Sequence, residues 1–457
     1  MPNPTLVAPG WPRMIVPRNH QGRAPRPISI HGIARFAFWA IFLLNLTNAM
    51  WLLVTYLRGI YGDEFELAIY PLSVAIATAL VLVFSKGRHY SPILLAGWGF
   101  WLVFFLGGFL GTEQLTLKYF RHTVEVTLKP WITLVGLPWL ALRAISADKL
   151  PRLIRAAVLV SSVGAVLAFV QVFIPGFMQE LNVDAGRGSG FWVNPNSGGT
   201  MCGLALFLSL VHPFRWRWLN WTMRLLLIVG VAVSFSRAAM LALLVGWVVY
   251  GITAGRFRSL FASMLAFALF LISMFVVLDV IDAVSPHQAK RLNYVRSFLE
   301  GDWSSDEADN RTAIWRAAFQ AIVEKDGLIF GLGHGSMSVV ADGLSPHNAY
   351  IHILGNSGII ALFGLLMWLF VLAQQAWKCR RRETRAALLS VVTMIALVLM
   401  FDSSFLGPPP TGVIVACFAL AVCYGRAPSP SPFPSQSLTV ATQAWSRRQL
   451  SGLSSPR

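Results

Sequence analysis

The chain has 457 residues, of which 56% are hydrophobic and 12% charged, with a mean hydropathy of +0.61. Soluble domains carry about 25% charged residues, so these values exclude a water-soluble enzyme. The formal net charge of +17 would suggest nucleic acid in a soluble protein, but here the cations belong to membrane topology, and no nucleic-acid partner is expected.

Residues 1–33 are rich in Pro and Arg without periodicity and predict a disordered tail. The leader is polar and long, and the first apolar run spans a bilayer, so no signal peptide is expected. Apolar runs long enough to cross a membrane predict nine helices within 34–281, at about 34–57, 67–85, 92–111, 124–145, 154–175, 198–213, 219–235, 238–254 and 259–281. Three more follow within 349–425, at about 349–376, 386–404 and 410–425. Residues 426–457, with the low-complexity stretch Pro428–Ser437, predict a second disordered tail. The expected fold class is an all-α polytopic membrane protein of about 12 transmembrane helices, with a large, partly helical outer loop over 282–348.

Placing the N-terminus in the cytoplasm and alternating sides puts 25 of the 37 Lys and Arg, but only 2 of the 20 acids, in the inner segments. Each inner loop has its own cluster, such as Lys86 with Arg88, Arg215 with Arg217, and Lys378 through Arg385. That bias is the positive-inside rule, helped by anionic membrane lipids, and it places both termini in the cytoplasm. The four cysteines lack metal-ligand spacing, so neither a zinc site nor a disulfide framework is expected.

The segment 282–348 is polar and carries half of the outer acids, among them Asp302, Asp306, Glu307 and Asp309. Asn310 is placed to cap a helix from Arg311 to Val323, with Ile314, Trp315, Ala318, Phe319 and Ile322 on one face. A glycine-rich turn follows at Gly331, Gly333 and Gly335, and the whole reads as a small outer cap on the membrane domain. The glycines make no dinucleotide fingerprint, since no strand precedes them.

Outer cations are scarce, so each is informative. Arg187 sits in the turn-rich run Gly186 to Asn196. Arg237 sits in a hairpin so tight that its guanidinium stays near bilayer depth, which is costly unless it meets water, an acid or an anionic ligand. Arg311 starts the loop helix, and His347 with Asn348 ends the loop. Arginine matches phosphate oxygens bidentately, while no Asp-x-Asp pair stands by to hold a metal. Histidine titrates near neutral pH and suits a general base. Together they point to group transfer from an anionic, lipid-soluble donor to a hydroxyl acceptor, with no metal and no cofactor. Each residue also has a plainer reading. Arg187 can serve loop carbonyls, Arg237 can snorkel, Arg311 can pair with Asp309 or Glu307, and His347 can be an interfacial or capping histidine. Asn194 and Asn196 can orient Arg187 or simply make the turn; His334 and His352 read as structural.

These segments resemble the O-antigen ligase/polymerase family of bacterial polysaccharide membrane proteins, best over roughly 150–375. The resemblance rests on Arg187 followed by Asn194-Pro195-Asn196, on Ser236-Arg237 at a helix start, and on Arg311 to Trp315 followed by Gly331 and Gly333. The ligase branch is associated with His, then Asn, Ser or Gln, nine residues, Gly, two residues, then Gly, Thr or Tyr. Here His347, Asn348 and Gly358 fit, and Ala361 departs. The resemblance implies an inner-membrane enzyme working on its periplasmic face with a glycan on undecaprenyl pyrophosphate. It implies that Arg187 and Arg237 hold the pyrophosphate, that His347 is the base, and that Arg311, Asn348 and Asn196 contact substrate. The acceptor is lipid A core in a ligase, and the growing lipid-linked polysaccharide in an O-antigen or exopolysaccharide polymerase. A small-solute transporter is the reading from another class. It fits less well, because the acids lie outside or near span ends and the halves are dissimilar.

Overall fold

Uncharged apolar stretches leave a backbone in lipid one local solution, the helix, because every N–H and C=O must find a partner within the protein. The computed structural model describes residues 91–111, 117–174, 187–192, 194–256, 306–337, 347–402 and 409–425, with scattered positions between 36 and 49 and at 177, 261 and 265. Among them the regular structure is all helix. The helices are α1 Pro92–Leu110, α2 Leu117–Trp131, α3 Leu137–Ala144, α4 Leu150–Phe173, α5 Pro195–Val211 and α6 Arg217–Val233. They continue with α7 Arg237–Ala254, α8 Asp306–Glu324, α9 Ala349–Trp377, α10 Arg382–Leu399 and α11 Pro409–Gly425. A buried π-helical turn, Ile132–Gly136, joins α2 to α3.

Nine of the expected spans fall on these helices. The expected spans 67–85, 259–281 and most of 34–57 lie outside the described residues, as do both tails. By length and composition, Pro92–Leu110, Ala147–Phe173, Arg237–Ala254 and Ala349–Trp377 are each able to cross a membrane.

The hub is α5, with 14 of its 17 residues buried. It packs against α4, α6, α7, α10 and α11. A helix apolar all round belongs inside, and α11 repeats the pattern with Val413 to Val422 buried throughout. Outer helices are apolar on both faces for a different reason. In α1, Phe100 and Phe104 turn inward, while Leu95, Leu102 and Leu106 are exposed where lipid would lie.

Helix ends sort into two faces. On one, Arg155 donates from Nε to the Pro213 carbonyl (3.0 Å), Arg382 to that of Thr253 (2.7 Å), and Tyr424 from its hydroxyl to that of Ile145 (2.7 Å). Arg256 and Glu383 form an ion pair there, and Arg385 lies 5.4 Å from the Trp377 ring centroid. The exposed Trp216, Trp218 and Trp221 add an aromatic belt of the kind that marks a membrane interface. The clusters assigned to inner loops that fall among the described residues thus meet on one side of the bundle, and Lys86 with Arg88 lies outside the described residues.

Two details of the outer loop differ from the sequence reading. The helix α8 starts at Asp306, so Asn310 lies inside it instead of capping it. Asp306, Glu307 and Asp309 occupy the first turn, where carboxylates favour the helix dipole and extend it backwards. Ala318 and Ile322 are buried with Met337 and Leu354, but Phe319 is 49% exposed and not on the packed face.

Candidate functional site

The opposite face carries the candidate residues. The turn 187–192 is laid on α4 and held by one side chain. Gln171 Oε1 accepts from the backbone N–H groups of Ser189 and Gly190, each at 2.8 Å, and its amide donates to the Gly190 carbonyl at 3.2 Å. Trp192 is buried beneath, its indole N–H donating to the Leu46 carbonyl (3.2 Å). Asn194 then starts α5, its side chain accepting from Asn196 N–H at 2.8 Å.

Arg187 is buried. Its Nε donates to the Ser234 carbonyl at 2.8 Å, and a terminal nitrogen donates to Asn196 Oδ1 at 2.7 Å. Gly188 N–H bonds to the Val233 carbonyl (2.9 Å), tying the same turn to the end of α6. Ser234 leads into Phe235, which holds a left-handed backbone (φ 49°) although it is not glycine. Ser236 then caps α7 by accepting from Ala239 N–H at 3.3 Å, and Arg237 is the exposed first residue of that helix. Arg187 therefore ties the N-terminus of α5 to the turn between α6 and α7, and Arg237 stands at the start of α7. Helix N-termini present unpaired N–H groups and the positive end of the dipole, so two guanidinium groups and two helix ends concentrate positive potential at one place.

His347 and Asn348 lie at the start of α9. Asn348 is buried and caps it, its Oδ1 accepting from Tyr350 N–H (3.0 Å) and Ile351 N–H (3.1 Å). His347 is exposed and also left-handed (φ 47°). Such strain, about 1–3 kcal/mol per residue, gathers at functional sites. Ser390 Oγ donates to the Gly246 carbonyl at 2.7 Å. Gly246 lies nine residues after Arg237, and Ser390 nine before Leu399, so the antiparallel pair α7 and α10 brings Arg237 level with the outer end of α10. Tyr350 donates to the Ala396 carbonyl, 2.8 Å away in that same last turn. The N-termini of α7 and α9, with Arg237 and His347, thus flank the outer end of α10. Arg311 lies in the second turn of α8, which packs on α9.

The sequence reading did not single out Gln171, nor the break in α9. Gly358 departs from the helix (φ 79°, ψ −177°) nine residues in, and the chain 327–337 fills the gap. Leu332 N–H bonds to the Gly355 carbonyl (2.6 Å), and Ile359 N–H to the Leu328 carbonyl (2.8 Å), replacing bonds that the break removed. A Cβ on Gly358 would stand 1.9 Å from the Ile329 oxygen, and one on Gly107 2.2 Å from the Ser357 oxygen. Ser357 Oγ also donates to the Phe104 carbonyl (2.8 Å). His334 is buried, its ring edge-on to Phe104 at 4.7 Å between centroids. The glycine-rich turn is therefore wedged between the end of α1 and α9, not perched above them. One signal for it was available: an Asn-Ser-Gly run at 356–358 interrupting an apolar span.

Residues 222–366 match the family model described as O-antigen ligase. The match takes in Arg237, Arg311, His347, Asn348 and Gly358, and ends before it reaches back to Arg187 or Asn196. No curated protein matches the chain. Over residues 222–366, then, the chain is similar to the O-antigen ligases, in keeping with the resemblance carried by its motifs.

Proposed function

We propose that the protein is an O-antigen ligase-like glycosyltransferase of the bacterial inner membrane. It moves a glycan from undecaprenyl pyrophosphate to a sugar hydroxyl of lipid A core on the periplasmic face. The observation that carries the reading is Arg187 tying the N-terminus of α5 to the turn that leads into α7, with Arg237 the first residue of that helix. Both arginines stand by helix N-termini, which favour an anion. They hold the pyrophosphate and stabilise it as the leaving group, and cations preorganised at developing charge supply a large catalytic term. His347 takes the proton of the acceptor hydroxyl. The oxygen attacks the anomeric carbon, the bond from that carbon to the pyrophosphate oxygen breaks, and the configuration inverts. Arg311, Asn348 and Asn196 support the bound substrate. No metal is required, because arginine already neutralises the phosphates.

A polymerase would use the same donor and residues with the next lipid-linked repeat as acceptor. Ala361 favours it, since this buried residue stands where the ligase signature has Gly, Thr or Tyr.

The test is reconstitution of purified protein with undecaprenyl-pyrophosphate glycan, with and without lipid A core, in EDTA. Glycan on the core is expected; lengthening of the lipid-linked glycan alone identifies a polymerase, and arrest by EDTA removes the metal-free chemistry. The His347→Ala variant, at normal membrane levels, is expected to lose transfer, and full turnover by it rules histidine out as the base.

A further inference from the structure

Phe319, Val323, Leu328, Ile329 and Phe330 of the outer segment are exposed, Ile329 by 55%. A contiguous apolar patch of this kind marks an interaction surface. Its height and its continuity identify the partner. Gly358, against which the Ile329 carbonyl rests, precedes Trp377 by 19 residues. That is about 28 Å of helix rise, close to the ~30 Å of a bilayer's hydrocarbon core. Trp377, exposed beside Arg385, marks the interface on the basic face. Leu328 to Phe330 therefore stand at the outer edge of the hydrocarbon. The exposed side of α9, from Phe370 through Leu366 and Phe363 to Ile359, is the surface that a spanning helix offers to lipid. It runs on without interruption, because Ile359 is hydrogen-bonded to Leu328.

We propose that this patch seats the outer segment in the outer leaflet, with the acyl chains of bilayer lipid as its partner. The helix α8 is divided lengthwise. Ala318 and Ile322 pack on Leu354 and Met337, Phe319 and Val323 enter lipid, and Gln320 and Glu324, about 100° further round, meet the headgroups. Interfacial helices lie in the same way, with an apolar face about 5–10 Å into the boundary. The seat holds whichever reaction the enzyme performs.

The test uses protein reconstituted in liposomes. Cys202, Cys379 and Cys417 are buried, so a Cys423→Ser background admits single nitroxide labels at Phe319→Cys, Ile329→Cys and Glu324→Cys. At 319 and 329, collisions with oxygen are expected to exceed those with a water-soluble nickel chelate, and at 324 the order reverses. Equal nickel access at 329 and 324 overturns the proposal, because the patch then lies in water. Exclusion of both reagents from 329 also overturns it, because protein then covers the patch, whether from this chain or a second copy. Wild-type protein provides the control against misfolded variants. Irradiated with a phospholipid carrying a carbene precursor on its acyl chain, it is expected to yield lipid-linked peptide from 319–330. Labelling of 359–370 alone refutes the seat.

Discussion

Arg187 reaches its partners from a turn with no regular structure of its own, and the shape of its fork is what the site uses. One nitrogen engages the Ser234 carbonyl and another engages Asn196, so the start of α5 and the turn between α6 and α7 are fixed by one planar group. Lysine keeps the charge but not the fork. The Arg187→Lys variant is expected to lose about 2 kcal/mol of stability, the scale of a charge-assisted hydrogen bond, read as a lower melting temperature in detergent. Transfer per folded molecule is expected to fall on the order of 10²-fold if the guanidinium also holds the leaving group. Unchanged transfer per folded molecule would leave Arg187 a structural brace. Its presence at a turn on the cation-poor side was legible in the sequence. Its commitment to Ser234 was not, because that contact joins residues 47 apart through packing of α4, α5 and α6 that no local pattern encodes.

Among the elements, α9 shows most clearly where pattern reading stops. Its apolar composition announces a span, and a glycine in such a run ordinarily means close packing. Gly358 instead holds a backbone region that is essentially glycine-only. Gly358→Ala is therefore expected to cost at least about 3 kcal/mol, since backbone strain adds to the contact with the Ile329 carbonyl. Poor recovery of monodisperse protein on size exclusion would report it. Gly99→Ala is the matched control: it lies on the exposed side of α1 with nothing within 4 Å of the new Cβ. It is expected to be neutral or to stabilise by about 0.5–1 kcal/mol, as alanine does in a helix. The misplaced start of α8 has a comparable origin, for Asn310 is a good cap but the acids before it are good first-turn residues.

At the level of the whole molecule, charge bias alone sorted the helix ends into the two faces seen in the bundle. The basic face gathers Arg155, Arg256, Arg382 and Arg385 in bonds that tie helix ends and loops together. With that face in the cytoplasm, a fluorescent protein fused after Arg457 is expected to fluoresce and an alkaline phosphatase at the same place to be inactive. The reverse pattern would invert the bundle and put the arginine site on the wrong side for a periplasmic acceptor.

The bond from Ser357 to the Phe104 carbonyl spans 253 residues, which turns geometry into a schedule. At roughly 5–20 residues per second, synthesis takes roughly 13–50 s to travel that distance. Through that interval the end of α1, with Gly107 and Gly108 facing outward, waits in the membrane without its wedge. A chain interrupted before residue 357 would carry an open flank where the finished protein has a closed one. The contact between α1 and α9 thus waits on late synthesis, and a half-made copy would display the defect to whatever surveys the membrane.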